Sequence, residues 1–289
     1  MLVLNVIGKG AAPGLFKKLG AGPACILSPG HAFDLPMNNV SSDAPLLLAE
    51  ARVLAEGLKL DTNLVATAHR RKKLLVADMD STIINVECLD ELADMAGLKP
   101  EIAAITERAM RGEIAFEAAL RERVGMLKGL PLSALEKTYA ERVRLNPGAK
   151  SLIATMRAHG AHTLLVSGGF HYFTRRVAEA AGFHAEHGNT LLDDGTRLTG
   201  MIGEPILGRE GKLRALEETA ARLGIGLDDS LAVGDGANDL AMIRKAGLGV
   251  AYHAKPLVAE AAAASIAHND LTALLYLQGY RDSEITPER

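Results

Sequence analysis

Tryptophan is absent from this 289-residue chain, and cysteine occurs only as Cys25 and Cys88. Two cysteines so placed form no metal-ligand or redox spacing, so a reducing, cytoplasmic setting is the expectation. No apolar run approaches the roughly 20 residues that span a bilayer, which argues against a membrane partner. Charge of one sign is also scarce. The net charge is −3, which speaks against a broad nucleic-acid surface, since that needs a basic patch or stripe. Met1 to Lys18 lacks the charged start, long apolar centre and small-residue cleavage site of a secretory signal. The glycines between Gly8 and Gly30 do not lead from a strand into a helix at dinucleotide-binding spacing.

What is present is a large apolar fraction, 48% of residues, in a chain long enough for more than one domain. Leu2 to Ile7 reads as a strand, Ala44 to Leu58 as a helix with Asp43 as candidate N-cap, and Asn63 to Thr67 as another short strand. This small α+β unit carries no catalytic constellation and ends at the basic tetrad Arg70-Arg71-Lys72-Lys73. A regulatory or packing role suits it better than chemistry.

Directly after the tetrad, the apolar run Leu74-Leu75-Val76-Ala77 leads into Asp78-Met79-Asp80-Ser81-Thr82. Four apolar residues bounded by charge read as a buried strand of a parallel sheet, with the acids at its carboxyl end, where open α/β sheets bind ligands. If strand geometry persists, Asp78 and Asp80 point one way and Met79 the other. Two carboxylates in one small pocket repel. Either a hard divalent cation, most naturally Mg²⁺, neutralises them, or one stays protonated as an acid while the other attacks. The plain alternative is an Asp-Ser-Thr turn capping the next segment.

Helical patterns follow without a strand between them: Leu89–Ala96, Pro100–Arg111 ending at Gly112, Phe116–Leu127 and Leu132–Val143. An all-helical block inserted after the first strand of such a sheet suggests a cap over the strand end. Asn146-Pro147 then reads as an N-cap and first helical position, with the helix closing at Gly160. Thr163–Val166 is a second buried strand, ending in the polar loop Ser167-Gly168-Gly169. A helix, Phe170–Ala181, stops at Gly182, and Asp193-Asp194-Gly195-Thr196 is a hairpin turn. Lys212 sits near the start of another helix. Leu231-Ala232-Val233 is a third strand, ending in Gly234-Asp235-Gly236-Ala237-Asn238-Asp239, and Leu248–Ala251 and a last helical segment finish the unit.

Three apolar strands thus end in three polar loops on one edge of a parallel sheet. Ser167 with the N–H groups of Gly168 and Gly169 can donate to phosphate oxygens, Lys212 adds positive charge, and Asp235 with Asp239 supplies further oxygen ligands. The set describes a phosphoryl-transfer site. Singly, each has a bland reading: a tight turn, a solvated helix lysine, a glycine loop.

In order and spacing these four motifs resemble those of the haloacid dehalogenase superfamily, over roughly residues 72 to 280. Within it the chain is most similar to the phosphoserine phosphatases, through Val86-Glu87-Cys88-Leu89-Asp90-Glu91-Leu92-Ala93, Met110, Phe116, Arg123 and Ser167-Gly168-Gly169-Phe170. The resemblance implies a Rossmann-like parallel sheet with helices on both faces, a helical cap inserted at about 86–145, a small N-terminal α+β domain over 1–71 and a tail over 281–289. It implies Asp78 as the nucleophile that becomes an aspartyl phosphate, and Asp80 as the acid and base. Mg²⁺ would be held by Asp78, the backbone carbonyl of Asp80, and Asp235. Phosphate would meet Ser167, Gly168, Gly169 and Lys212, with Asn238 and Asp239 in the metal and phosphate surroundings. Glu87 would face the ammonium of O-phosphoserine and Arg123 its carboxylate, with Met110 and Phe116 as apolar cover.

Each charged end of a phosphorylated amino acid then has a complement, and arginine's fork suits a carboxylate. Without the resemblance, Glu87 reads as a first-turn helix acid and Arg123 as part of a solvated face. Longer members of the family carry paired N-terminal regulatory units, whereas residues 1 to 71 show too few strands for two of them. Two other activities share the motifs: phosphoryl transfer from phosphoserine to an alcohol such as homoserine, and a receiver-like switch that keeps phosphate on an aspartate. Asp80 speaks against the second, because an acid and base two residues on hastens loss of the phosphoryl group.

Overall fold

The computed structural model describes residues 1–37, 44–110 and 113–288, apart from the side chain of Met110. Asp43 as an N-cap and Arg111-Gly112 as a helix end lie outside the described residues. No helix among those described is long and apolar enough to cross a membrane.

The N-terminal elements are β1 (Leu2–Ile7), α1 (Pro13–Phe16), β2 (Cys25–Ser28), β3 (Ala32–Pro36), α2 (Ala44–Ala55) and β4 (Asp61–Ala66). The strands form one antiparallel sheet in the order β2-β3-β1-β4. β1 is apolar on both faces apart from the buried Asn5, because both its faces are covered. Leu4 and Val6 pack with Phe16, Phe33 and Ala51, while Val3 and Ile7 join the main core. β2 and β3 had no counterpart in the sequence reading, which took the stretch to Gly30 as glycine-rich chain. They form because an antiparallel sheet needs only a tight turn between short strands.

Polar residues of this sheet turn towards the rest of the chain. Asn63 exchanges two hydrogen bonds with the backbone of Ser265 (3.1 and 2.8 Å). The Asp61 carboxylate accepts from Ala267 N at 2.8 Å and Asn269 N at 3.1 Å. From the basic tetrad, Arg70 grips Asp34 with two bonds of 2.6 and 2.8 Å and donates to Leu277 O.

The second unit starts with β5 (Leu74–Ala77) and four helices, α3 (Cys88–Met95), α4 (Lys99–Met110), α5 (Phe116–Met126) and α6 (Leu132–Arg142). An isolated bridge between Ile84 and Leu145 closes the base of this helical insertion. There follow α7 (Ala149–Ala158), β6 (His162–Phe170), α8 (His171–Ala181), β7 (Ala185–Asn189), the hairpin β8 (Leu191–Asp193) and β9 (Leu198–Ile202), and α9 (Arg209–Leu223). Last come β10 (Ser230–Gly234), α10 (Leu240–Lys245), β11 (Leu248–Tyr252), α11 (Pro256–Ala261), β12 (Ala264–Ile266) and α12 (Ala273–Leu277). The sheet is parallel throughout, in the order β12-β11-β10-β5-β6-β7. β5 is therefore central, and strand order reverses around it, which opens a crevice at the carboxyl ends of β5, β6 and β10.

Two local readings are corrected. Asn146 is not an N-cap: α7 begins at Ala149 after Gly148, whose φ of 81° lies in the left-handed region. The Asn146 amide instead donates to Thr82 O (2.8 Å) and Ile84 O (3.1 Å), tying the insertion's exit to its entry. Ser167-Gly168-Gly169 is not a loop after a strand but the bulged continuation of β6. Register with β7 shifts between Val166 and Phe170, and the strand resumes beyond.

Candidate active site

β5 delivers Asp78 in extended geometry, and its carboxylate accepts from Met79 N (2.7 Å). Met79 turns into the apolar core, as alternation requires. Regular strand geometry then stops. Asp80 is extended, but Ser81 has φ 55°, so the chain folds back on itself. The Asp80 carboxylate consequently accepts from Cys88 N (3.1 Å) at the start of α3 and from Ser167 Oγ (3.3 Å) on β6.

Helix α9 brings Lys212 under the same crevice. Its side chain, 1% exposed, contacts Asp78 at 2.6 Å and Asp239 at 2.7 Å. The loop after β10 closes tightly, with Asp239 N donating to Gly236 O (3.0 Å) and Gly236 N to the Asp239 carboxylate (3.1 Å). A methyl group on Gly234 would lie 2.4 Å from Asp239 Cγ, and one on Gly236 would lie 2.2 Å from Asn238 Oδ1. These glycines are present because two side chains fold back over them. Asp235 accepts from Thr82 Oγ1 (3.1 Å).

Carboxylate oxygens of Asp78, Asp235 and Asp239 all lie within 4.8 Å of one another. Three carboxylates against the one Lys212 ammonium leave surplus negative charge. Burial above all, then Asp239, pushes Asp78 well above the usual carboxylate range against the pull of Lys212. Asp235 is pushed up to about 6, mostly by burial and then by Asp239. Burial and Glu87 raise Asp80 to about 7, opposed by the Cys88 N–H. Burial works against the charge on Lys212, yet Asp239 and Asp78 outweigh it and hold the ammonium protonated.

The Ser167–Gly169 bulge faces this cluster. Ser167 Oγ accepts from Gly169 N (2.8 Å), and a methyl on Gly169 would meet Asp80 Oδ2 at 2.9 Å. From the helical insertion, Phe116, 40% exposed, stands over Gly168; a methyl there would sit 3.5 Å from the ring. Glu87 precedes α3 and accepts from Ser81 Oγ (2.6 Å). Among the described residues Arg123 on α5 bonds to neutral groups alone, Thr106 Oγ1 (3.3 Å) and Ala119 O (3.4 Å). Burial lowers its pKa, while Asp90 and Glu87 act in the opposite sense.

Asp78, Asp80, Ser167, Gly169, Lys212, Asp235 and Asp239 are thus brought together, with Asn238 folded against the same loop. Glu87 is joined to the group through Ser81, and Arg123 stands with Glu87 on the insertion side. Asp80's carboxylate stays outside the three-acid cluster, whose third member is Asp239. Thr82, Ser81 and Thr106 are supporting partners that sequence reasoning did not single out, since a lone hydroxyl carries no local sign of what it contacts. A separate cleft of about 700 Å³ opens between α2 and α11, lined by Arg52, Glu56, Lys59 and Glu260 among others, and shares none of these side chains.

Comparison with known proteins agrees in extent and in kind. The sequence profile of the haloacid dehalogenase-like hydrolases matches residues 75–244. A phosphoserine phosphatase from Archaeoglobus fulgidus is 45% identical over 234 residues, covering 80% of this chain and 68% of its own. Among solved structures, a haloacid dehalogenase family hydrolase from Salmonella enterica serovar Typhi superposes with a TM-score of 0.85 at 31% identity, over 96% of this chain and 98% of that one. A probable phosphoserine phosphatase from Vibrio cholerae gives 0.81 at 32% identity, over 96% of this chain and 86% of that one.

Proposed function

The chain belongs to the haloacid dehalogenase-like hydrolases, and from that premise we propose that it hydrolyses O-phosphoserine to serine and phosphate through an aspartyl phosphate on Asp78. The observation that carries this reading is the buried Lys212 ammonium held between Asp78 and Asp239, with Asp80 and Ser167 paired across the crevice. An ammonium has three protons, and two are engaged. Among the described residues the third has no partner, and it can meet a phosphate oxygen beside the Ser167–Gly169 bulge.

Asp78 attacks phosphorus as the bond to the serine oxygen breaks, and Asp80 delivers its proton to that oxygen. Its pKa, raised to about 7, leaves a sizeable protonated fraction at neutral pH to act as general acid. Left as a carboxylate, Asp80 then takes a proton from the water that attacks the aspartyl phosphate. Glu87 receives the substrate ammonium and Arg123 its carboxylate, while Phe116 excludes water; the apolar-cover role of the Met110 side chain lies outside what the structure describes.

The surplus negative charge of Asp78, Asp235 and Asp239 fits a hard divalent cation with oxygen ligands, and we infer Mg²⁺. Asp78, Asp235 and the backbone carbonyl of Asp80 would hold it, with Asp239 beside them; when bound it offsets charge on the transferring phosphoryl group. We further take residues 1–71 as a small N-terminal domain, 72–280 as the hydrolase core with its cap at about 86–145, and 281–289 as a tail.

Asp78→Asn keeps shape and removes the attacking charge. With Mg²⁺ present, phosphate release from phosphoserine should fall to background while the far-UV spectrum and thermal midpoint stay near wild type. Undiminished turnover by pure, folded Asp78→Asn protein would overturn the assignment.

A further inference from the structure

The bulge in β6 leaves a gap that one side chain fills. Between the pairs Val166–His187 and Phe170–Asn189 the β6–β7 ladder is interrupted, so the Gly168 carbonyl loses a regular strand partner. Asn189, the last residue of β7 and 2% exposed, supplies one: its amide Nδ2 donates to Gly168 O at 2.8 Å. The same side chain reaches a second segment. Nδ2 also donates to Leu207 O (3.1 Å), and Oδ1 accepts from Leu207 N (2.7 Å), the two-way exchange that a neighbouring strand would make. Leu207 precedes Gly208, the N-cap of α9, and Lys212 N bonds back to Gly208 O (3.0 Å).

One buried amide therefore joins the Ser167–Gly169 bulge to the entry of the helix that carries Lys212. Among the described residues no other hydrogen bond links Gly168 to that entry directly, and the space is closed. A methyl on the adjacent Gly188 would lie 3.3 Å from Gly169 O. We infer that Asn189 is a positioning residue for the phosphate subsite, setting the spacing between the bulge donors and the Lys212 ammonium. It touches no reacting atom. This rests on the proposed phosphatase reading and names what holds its phosphate end in register.

Two substitutions separate this role from mere stabilisation. Asn189→Asp keeps the bond from Leu207 N but sets an acceptor against two carbonyls; Asn189→Ser withdraws the reach. In the Mg²⁺-loaded full chain, the competitive inhibition constant of inorganic phosphate and the KM for phosphoserine should each rise about tenfold or more, the loss expected when one or two buried hydrogen bonds cease to hold a site. The preference for phosphoserine over phosphoethanolamine should not change, because Glu87 and Arg123 are untouched. A folded variant with a lowered thermal midpoint but wild-type phosphate constants would show a purely structural amide and overturn the inference.

A second measurement needs no variant. Phosphate titrated into the wild-type Mg²⁺ form should shift the Asn189 side-chain amide resonances, and an unresponsive pair likewise overturns the inference. If wild-type protein binds phosphate but releases none from phosphoserine, the proposed reaction fails while Asn189 remains testable by phosphate calorimetry.

Discussion

Asp235 shows how a single residue's environment sets a measurable property. Burial and Asp239 hold its carboxyl at about 6 in the cation-free protein, above an ordinary aspartate. The raised value means that a proton competes with the cation below that pH and no longer does so above it. Apparent Mg²⁺ affinity should therefore fall as pH drops through about 6, by roughly tenfold per pH unit for each proton displaced. Calorimetric titration between pH 5 and 8 checks this; an affinity that does not change across that range would remove Asp235 from the cation site.

Arg123 supports a test of substrate choice on the same scale. Its guanidinium is largely withdrawn from water yet, among the described residues, bonded to Thr106 Oγ1 and Ala119 O alone. A charge so placed gains most from a substrate carboxylate. Arg123→Ala should reduce the kcat/KM preference for phosphoserine over phosphoethanolamine by about tenfold to a hundredfold. Hydrolysis of a small aryl phosphate should persist, and a preference that survives intact would withdraw the carboxylate role.

Among the elements, those with a strong local pattern were legible in the sequence. β5, β10 and the four inserted helices declare themselves because a buried parallel strand is uniformly apolar and an inserted helix has a 3.6-residue period. The entry to α7 was misread for a physical reason. Asn146-Pro147 satisfies local rules for a helix start, but Gly148 must pass Thr272, and the left-handed turn there overrides them. A methyl on Gly148 would come within 2.5 Å of Thr272 N, against backbone that cannot give way. Gly148→Ala should then cost about 2 kcal/mol or more, from positive φ and overlap together. Urea denaturation measures it, and an unchanged midpoint would mean that the segment 270–272 yields freely.

At the scale of the molecule, two sheets are held together by buried polar groups as much as by apolar contact. Asp34 is 4% exposed and its charge is met by Arg70, with Asn5 Nδ2 adding a bond of 2.8 Å. Removing one partner of such a pair strands the other, at about 3–5 kcal/mol. Arg70→Met should lower unfolding free energy by that order while phosphate release by the folded fraction stays near wild type. A loss below about 1 kcal/mol would mean that water reaches Asp34 and screens it.

The sequence by itself determined the α/β class, the run of helices after the first parallel strand and the four motifs that converge on one sheet edge, because strand order and loop chemistry are written in contiguous residues. It also carried the acids and the lysine of the site. Only the tertiary structure decided which of them meet. Lys212 between Asp78 and Asp239, Asp80 turned to Cys88 and Ser167, Thr82 on Asp235, and Asn189 across the β6 bulge are contacts between segments far apart in the chain. No local periodicity encodes them. β2 and β3 escaped the sequence reading on the same grounds: short strands are stabilised by the partners they find, and Asp34 finds its partner at Arg70, beyond the intervening helix.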